Sequence, residues 1–212
     1  MSGYAVAHLD EIGEISDGRC PYRPVRHHFG ITSFGINTWT AAASGDRIIN
    51  EHDEQGENEE LYLVTAGRAR FELDGERLDA PAGTFVSVSP GVKRTAFAEE
   101  AGTTILAVGG TPGRVYQPHG WEVWAPLTPL YRAGNYDEAA DRGRALAEAH
   151  PEYPELFYNV ACCESLAGRT DEALEHLRHA VAANDELRAL AQTDSDFDPI
   201  RNRPAFKELV GA

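Results

Sequence analysis

The sequence has little cysteine, methionine or positive charge. Its 212 residues include three cysteines, one methionine, and 19 lysines and arginines against 34 acidic residues, for a formal charge of −15. Because Lys and Arg carry binding to nucleic acids and anionic membranes, we predict neither as a partner. No apolar run reaches the roughly 20 residues that a spanning helix needs. No basic segment followed by an apolar one opens the sequence, so we expect a cytoplasmic protein.

The cysteines do not predict a disulfide framework. Their number is odd, and Cys162 and Cys163 are adjacent, which is incompatible with ordinary pairing between them. We therefore expect a reducing compartment, with this pair acting as small apolar residues of a helix.

Residues 25–110 have the pattern of a β domain, and residues 1–24 precede it as an N-terminal extension. Short runs rich in Val, Ile, Phe, Tyr and Thr alternate with Gly, Pro and Asp, which is typical of closely spaced strands. Asp74-Gly75 between two such runs predicts a tight hairpin turn. Together these signals favour an antiparallel sandwich or barrel.

Residues 127–212 have helical spacing and contain a repeat. The segment Ala133–Ala139 recurs as Ala167–Ala173, 34 residues later. A period of 34 built from paired helices resembles the tetratricopeptide repeat, and the resemblance covers about residues 127–181. Pro126 and Pro129 predict a shortened first helix, and residues 194–209 predict a terminal cap.

The segment between the two patterns, residues 111–126, is interpreted as a connector. It contains three prolines and two tryptophans, Trp121 and Trp124. A flexible linker rarely contains two tryptophans, so we expect these aromatic side chains to pack one half of the chain against the other.

The densest polar cluster, residues 51–60, contains six carboxylates and one histidine. A run of charge usually faces solvent, but the surrounding pattern favours a site. The order of five residues resembles the first cupin motif: Gly45, His52, Glu54, Glu60 and Gly67. Residues 83–94 resemble the second cupin motif. The resemblance covers about residues 25–110 and implies a jelly roll, so the predicted fold class is α+β multidomain, a cupin-like β jelly roll followed by helical hairpins.

The ligand set departs from that of a metal-binding cupin, which supplies three histidines and a glutamate. His52 and Glu60 match, whereas Glu54 and Arg94 replace the other two histidines. Arginine cannot ligate a metal because its guanidinium has no free lone pair. The resemblance therefore implies either a divalent metal (Fe, Mn, Ni or Zn) held by His52, Glu54 and Glu60, or a vacant site.

Arg94 has two interpretations. Its guanidinium either pairs internally with Glu60 or Glu54, or binds a small carboxylate or phosphate bidentately. His27 and His28 lie on or near the first predicted strand, where at most one of two neighbours points inward. The candidate ligand-binding residues are Arg94, His52, Glu60 and His28.

These features predict a small-molecule-binding cupin-like protein with a helical interaction domain, acting as a ligand sensor or assembly module. Its expected ligand is small and anionic or polar. The alternative is a metal-dependent cupin enzyme, an oxygenase or isomerase acting on a small organic acid that Arg94 positions. The helical repeats would bind a protein or peptide, or complete a homodimer.

Overall fold

A computed structural model describes residues 4–16, 20–53 and 57–211. The chain divides into two compact units, Met1–Pro118 and His119–Ala212. The first consists mainly of antiparallel strands and the second of helices, which confirms the predicted α+β multidomain class. No helix in the described ranges has the length and apolar character needed to cross a membrane.

The described part of the first unit has nine strands. In chain order they are β1 (Tyr22–Arg23), β2 (Gly35–Thr40), β3 (Arg47–His52), β4 (Glu59–Ala66), β5 (Arg68–Leu73), β6 (Glu76–Pro81), β7 (Phe85–Val88), β8 (Arg94–Ala98) and β9 (Thr104–Gly110). One antiparallel sheet has the order β1-β2-β9-β4-β7, and the other has the order β3-β8-β5-β6.

The core of this unit contains residues from both sheets. Tyr62, Val64 and Ile105 come from the five-stranded sheet, and Phe71 and Ala96 come from the other; all five are almost fully buried. The rings of Tyr62 and Phe71 pack with centroids 5.6 Å apart. Buried and exposed residues alternate along β7, as expected for a strand of two packed antiparallel sheets.

The predicted hairpin turn is present between β5 and β6. Asp74 and Gly75 both have positive φ, 49° and 86°, as a primed two-residue turn requires. The flanking residues Leu73 and Glu76 pair directly, so this turn sets the register of the hairpin.

The strand predicted at His27 and His28 is wrong. Both residues lie on a short helix, α1 (Val25–Phe29), and both are exposed. The helix begins directly after Pro24 and ends at Gly30, which takes a left-handed φ of 65°. Proline before a helix and left-handed glycine after it are helix-boundary signals, and they outweighed the strand interpretation.

The second unit contains seven helices among its described residues. They are α2 (Gly120–Trp124), α3 (Thr128–Arg132), α4 (Tyr136–Ala149), α5 (Pro154–Leu166), α6 (Thr170–Ala183), α7 (Glu186–Thr193) and α8 (Pro204–Val210). Helix α5 packs against both α4 and α6, and α3 has only five residues, consistent with the prolines at its start.

The 34-residue sequence repeat is also a repeat of backbone structure. Gly134 lies in the turn that follows α3, and Gly168 lies in the turn that follows α5. Their φ angles are 75° and 80°. Asn135 N donates to Leu130 O at 3.0 Å, and 34 residues on, Arg169 N donates to Glu164 O at 2.8 Å. The two turns are therefore built by equivalent bonds.

The small residues that follow the turns are fully buried. Ala139 and Ala173, 34 residues apart, both have 0% exposure. Side chains of this size let neighbouring helices approach closely. The segment predicted as a cap also buries apolar residues, including Phe197, Ile200 and Phe206.

The predicted connector is divided by the boundary at Pro118. Residues from Gly120 onward form α2, and Trp124 belongs to the core of the helical unit. A Cβ at Gly143 would lie only 2.8 Å from the Trp124 ring, so this glycine makes room for it. Cys162 and Cys163 are free and buried on α5, consistent with their predicted apolar role.

Candidate functional site

Strands of both sheets place four polar side chains together. His52 at the end of β3 pairs in register with Arg94 at the start of β8. Glu60 and Tyr62 lie two residues apart on β4, so both point to the same face, which also carries the buried Val64. The site therefore lies between the sheets.

The polar side chains around Glu60 all contact one of its two carboxylate oxygens, Oε2. Tyr62 Oη donates to it at 2.5 Å, and Arg94 Nε donates at 2.9 Å. Arg94 Nη2 lies 2.8 Å away, and His52 Nε2 lies 3.2 Å away. This carboxylate oxygen is thus crowded by donors from three strands.

Both ring nitrogens of His52 lie beside acceptor atoms. Its Nδ1 lies 2.7 Å from the carbonyl oxygen of Asn50, and its Nε2 faces Glu60. Both partners are acceptors, so both ring nitrogens donate only when the ring is doubly protonated. The hydrogen bond with Glu60 correspondingly raises the pKa of His52.

The same contacts stabilise the ionised form of Glu60. Burial alone would raise the pKa of this carboxyl, but hydrogen bonds from His52 and Tyr62 and the charges of His52 and Arg94 lower it overall. Burial, together with the charge of Glu60, raises the pKa of Tyr62 well above its usual range. Tyr62 therefore remains a neutral hydrogen-bond donor.

Arg94 is the most unusual residue of the site because its side chain has 0% exposure. Its Nη1 donates to the carbonyl oxygen of Val92 at 2.7 Å. Its Nη2, although close to Glu60, does not meet hydrogen-bond geometry, and this buried nitrogen has no acceptor among the described residues. A guanidinium is thus held in place with donor capacity left over.

The second carboxylate oxygen of Glu60 has no such crowding. The contacts of Glu60 with His52, Tyr62 and Arg94 all involve Oε2, and Oε1 accepts no hydrogen bond from a residue that the structure describes. Gly109, directly opposite Glu60 on β9, leaves space for this side chain. The site therefore has a carboxylate oxygen without a described donor beside a fully buried guanidinium.

The structure describes only part of the predicted metal site. His52 and Glu60 are its only members in the described ranges, since Glu54 lies outside them. Both nitrogens of the His52 ring face acceptor atoms, and the Arg94 guanidinium lies against one of the two carboxylate oxygens of Glu60. Metal ligation needs a neutral imidazole with a free lone pair.

The predicted ligand-binding set is brought together only in part. Arg94, His52 and Glu60 form one cluster, whereas the exposed His28 packs its ring against Phe29 on α1. Sequence reasoning missed Tyr62, although its position two residues after Glu60 in a strand was a usable signal.

A second carboxylate cluster lies in the helical unit. Glu164 on α5 has 0% exposure, accepts from Arg144 Nη2 at 2.9 Å, and lies 2.7 Å from His176 Nδ1. The His176 side chain is therefore partly buried and paired with a carboxylate from a neighbouring helix. The hydrogen bond with Glu164 raises the pKa of His176.

Among described residues, the one group of three potential metal donors within 4.8 Å of one another is Cys162, Asp194 and Asp196. Tyr158 Oη donates to Asp194 at 2.8 Å, and Tyr131 Oη lies 2.8 Å from an oxygen of Asp196. Burial strongly raises the pKa of the Cys162 thiol. These contacts describe a hydrogen-bonded structural cluster.

No protein-family model and no curated protein matches the chain. Solved structures resemble its N-terminal part. A cupin protein from Bacteroides fragilis is 18% identical, with 56% of this chain and 92% of that chain covered and a TM-score of 0.43. An RmlC-like cupin from Shewanella frigidimarina is 15% identical, with 53% of this chain and 94% of that chain covered and a TM-score of 0.40.

A sugar phosphate isomerase from a cupin superfamily, from Silicibacter pomeroyi, is 20% identical over 50% of this chain and 74% of that chain, with a TM-score of 0.41. At this level of similarity, the function of this chain must be judged from its own side chains.

Proposed function

We propose that the first unit binds a small organic anion between its two sheets, next to Arg94. This binding would make the protein a ligand-binding or sensing protein. The carrying observation is the fully buried guanidinium of Arg94, whose Nη2 has no hydrogen-bond acceptor among the described residues. A buried donor without a hydrogen-bond acceptor costs about 1–3 kcal/mol. A ligand oxygen would approach the cluster from the side of His52 and Glu60, whose side chains are 33% and 17% exposed.

The charge of the cluster supports an anion over a cation. Arg94 contributes a positive charge, and the hydrogen bond with Glu60 raises the pKa of His52 and so favours its charged form. Positive charge on Arg94, and on His52 when it is protonated, favours binding of an oxyanion next to these two side chains. Arginine also offers the planar fork that carboxylates fit best.

Titration with acetate, propionate and malonate, followed by calorimetry and by the NMR signal of the Arg94 Nε–H group, tests the proposal. We expect saturable binding by the wild type and a loss of affinity of at least about tenfold in Arg94→Gln, because hydrogen bonds to charged groups contribute roughly 1.5–3 kcal/mol. Arg94→Lys, which keeps the charge but loses the fork, should bind with intermediate affinity.

The matched control is Arg68→Gln. Arg68 lies on β5 of the same sheet as Arg94 and pairs with Asp79 at the surface, so its removal should leave anion affinity unchanged. Circular dichroism verifies that each variant is folded. Wild-type affinity in a folded Arg94→Gln variant, or no saturable binding by the wild type, would overturn the proposal.

For the helical unit we propose a role in protein interaction, either with a protein or peptide partner or in a homodimer. The repeated turns at Gly134 and Gly168 support a helical-hairpin array, which resembles the tetratricopeptide repeat and commonly presents a binding surface. Light scattering on the purified full chain distinguishes the options. A dimeric mass favours the homodimer, and a monomer leaves the heterologous partner as the candidate role.

A further inference from the structure

Asn37 on β2 is a buried polar residue whose side chain has no hydrogen-bond partner among the described residues. It is only 5% exposed. Described side-chain atoms that lack both a partner and contact with solvent occur in Arg23, Thr38, Arg94 and Arg144. The Asn37 amide is not among them, so it borders space that solvent can enter. A buried amide is costly unless something in that space pairs with it.

The side chain of Asn37 points between the two sheets. Asn37 pairs in register with Ala107 on β9, and Ala107 pairs with Tyr62 on β4. Directly paired residues project to the same face of a sheet, and Tyr62 belongs to the core between the sheets. The Asn37 amide therefore lies on the inner face, in the row next to the one that holds Glu60.

The inner face between Asn37 and Glu60 carries almost no side-chain bulk. Gly109 and Ala107 occupy it on β9, the strand that separates β2 from β4. Glu60 Oε1 lies 3.9 Å from the place of a Cβ on Gly109. Asn37 is a diagonal neighbour of Gly109, at about 7–8 Å, so the amide and this carboxylate oxygen lie within roughly 12 Å of each other.

We propose that Asn37 and Glu60 Oε1 form a binding site for a small neutral molecule that carries several hydroxyl groups. A carboxylate oxygen accepts from a hydroxyl, and a carboxamide both donates and accepts, so the two groups are complementary to neighbouring hydroxyls. Neither group offers a positive charge, so this site goes beyond the proposed anion binding and does not need it. The Glu60 side chain is 17% exposed, which gives such a molecule access from solvent.

Titration of the full chain with glycerol, erythritol and xylitol tests this site, followed by calorimetry and by the NMR signal of the Asn37 side-chain amide. We expect saturable binding of at least one polyol by the wild type, with a shift of the amide signal. Asn37→Leu has a similar volume without a hydrogen-bonding group, so it should bind that polyol about three- to tenfold more weakly, the range of one neutral hydrogen bond. Because this amide has no partner among the described residues, the variant should melt no lower than the wild type.

Thr38→Val is the matched control. Thr38 follows Asn37 on β2, is also buried, and has a hydroxyl without a partner among the described residues. Adjacent residues of a strand point to opposite faces, so this variant removes a comparable group from the other face and should leave polyol affinity unchanged. Ala107→Val places a larger, branched side chain between Asn37 and Glu60 and should weaken binding. Far-UV circular dichroism verifies the fold of each variant.

The possible results separate this inference from the proposed function. Absence of saturable polyol binding by the wild type would overturn it, as would wild-type affinity in a folded Asn37→Leu variant. An equal loss of affinity in Thr38→Val and Asn37→Leu would also overturn it, because the effect would then belong to β2 as a whole. None of these results bears on anion binding, which the acid titrations of Arg94→Gln measure separately.

Discussion

Removing the charge of Glu60 and removing the charge of Arg94 should destabilise the fold to different extents. Arg94 is completely buried, whereas the Glu60 side chain retains 17% exposure and has an oxygen without a described partner. A buried charge that loses its counter-ion is strongly destabilising, whereas an accessible charge recovers part of its hydration. Removing the negative charge should therefore be the more damaging of the two changes.

Glu60→Gln should lower the free energy of unfolding of the first unit by about 3–5 kcal/mol, the usual cost of breaking a buried pair. Urea denaturation followed by tryptophan and far-UV signals measures this loss. Glu59→Gln, at the exposed neighbouring position, should change stability by less than about 0.5 kcal/mol. Equal effects of the two substitutions would contradict the buried-pair interpretation.

The sequence predicted the members of this cluster better than their arrangement. The order of His52, Glu60 and Arg94 along the chain suggested that they meet, and an Arg94–Glu60 pair was one of two interpretations. Which oxygen accepts, and which guanidinium nitrogen lacks an acceptor, depends on the register between β3 and β8 and on the approach of β4. Those relations are long-range and have no local sequence signal.

At the scale of elements, local signals were reliable where glycine or proline set the backbone. Asp74-Gly75 predicted a turn from residue type, and the 34-residue offset predicted the repeat that contains Gly134 and Gly168. The helix at Val25–Phe29 was missed because its apolar and aromatic residues outweighed Pro24 and Gly30 in the interpretation. The pairing of His176 with Glu164 has no local sequence signal, because the two residues lie on different helices.

The repeated turns lead to a paired prediction. Gly134→Ala and Gly168→Ala each place a Cβ in the left-handed region, which costs about 1–2 kcal/mol. Both variants should lower the free energy of unfolding of the helical unit by similar amounts in denaturation followed at 222 nm.

Gly110→Ala is the control for this pair, because Gly110 does not have positive φ and a Cβ there meets open space. Gly110→Ala should leave the free energy of unfolding of the helical unit unchanged. Clearly unequal losses at Gly134 and Gly168 would show that the two turns are not energetically equivalent.

At the scale of the whole molecule, the two units share one electrostatic arrangement. In each, a glutamate accepts from an arginine and also contacts a histidine: Glu60 in the first unit and Glu164 in the second. The histidines are His52 and His176, and the hydrogen bond to the glutamate raises the pKa of each above its ordinary value of 6.5.

These raised pKa values fix the sign of a pH effect. A histidine with a higher pKa in the folded state binds more protons there than in the unfolded chain. Its stabilising contribution is fully present below pH 6.5, the ordinary value, and is lost as pH rises through the folded pKa. The melting temperatures of both units should therefore fall from about pH 6 to about pH 8.

Differential scanning calorimetry across this range measures the effect. His52→Gln and His176→Gln should each flatten the fall in their own unit, because glutamine retains a donor but does not titrate. His27 is the matched control: burial and the nearby charge of Arg26 lower its pKa, so its contribution has the opposite sign. His27→Gln should therefore make the melting temperature fall more steeply with pH. If His27→Gln instead flattened the fall as much as His52→Gln does, the pH dependence could not be assigned to the two glutamate-paired histidines.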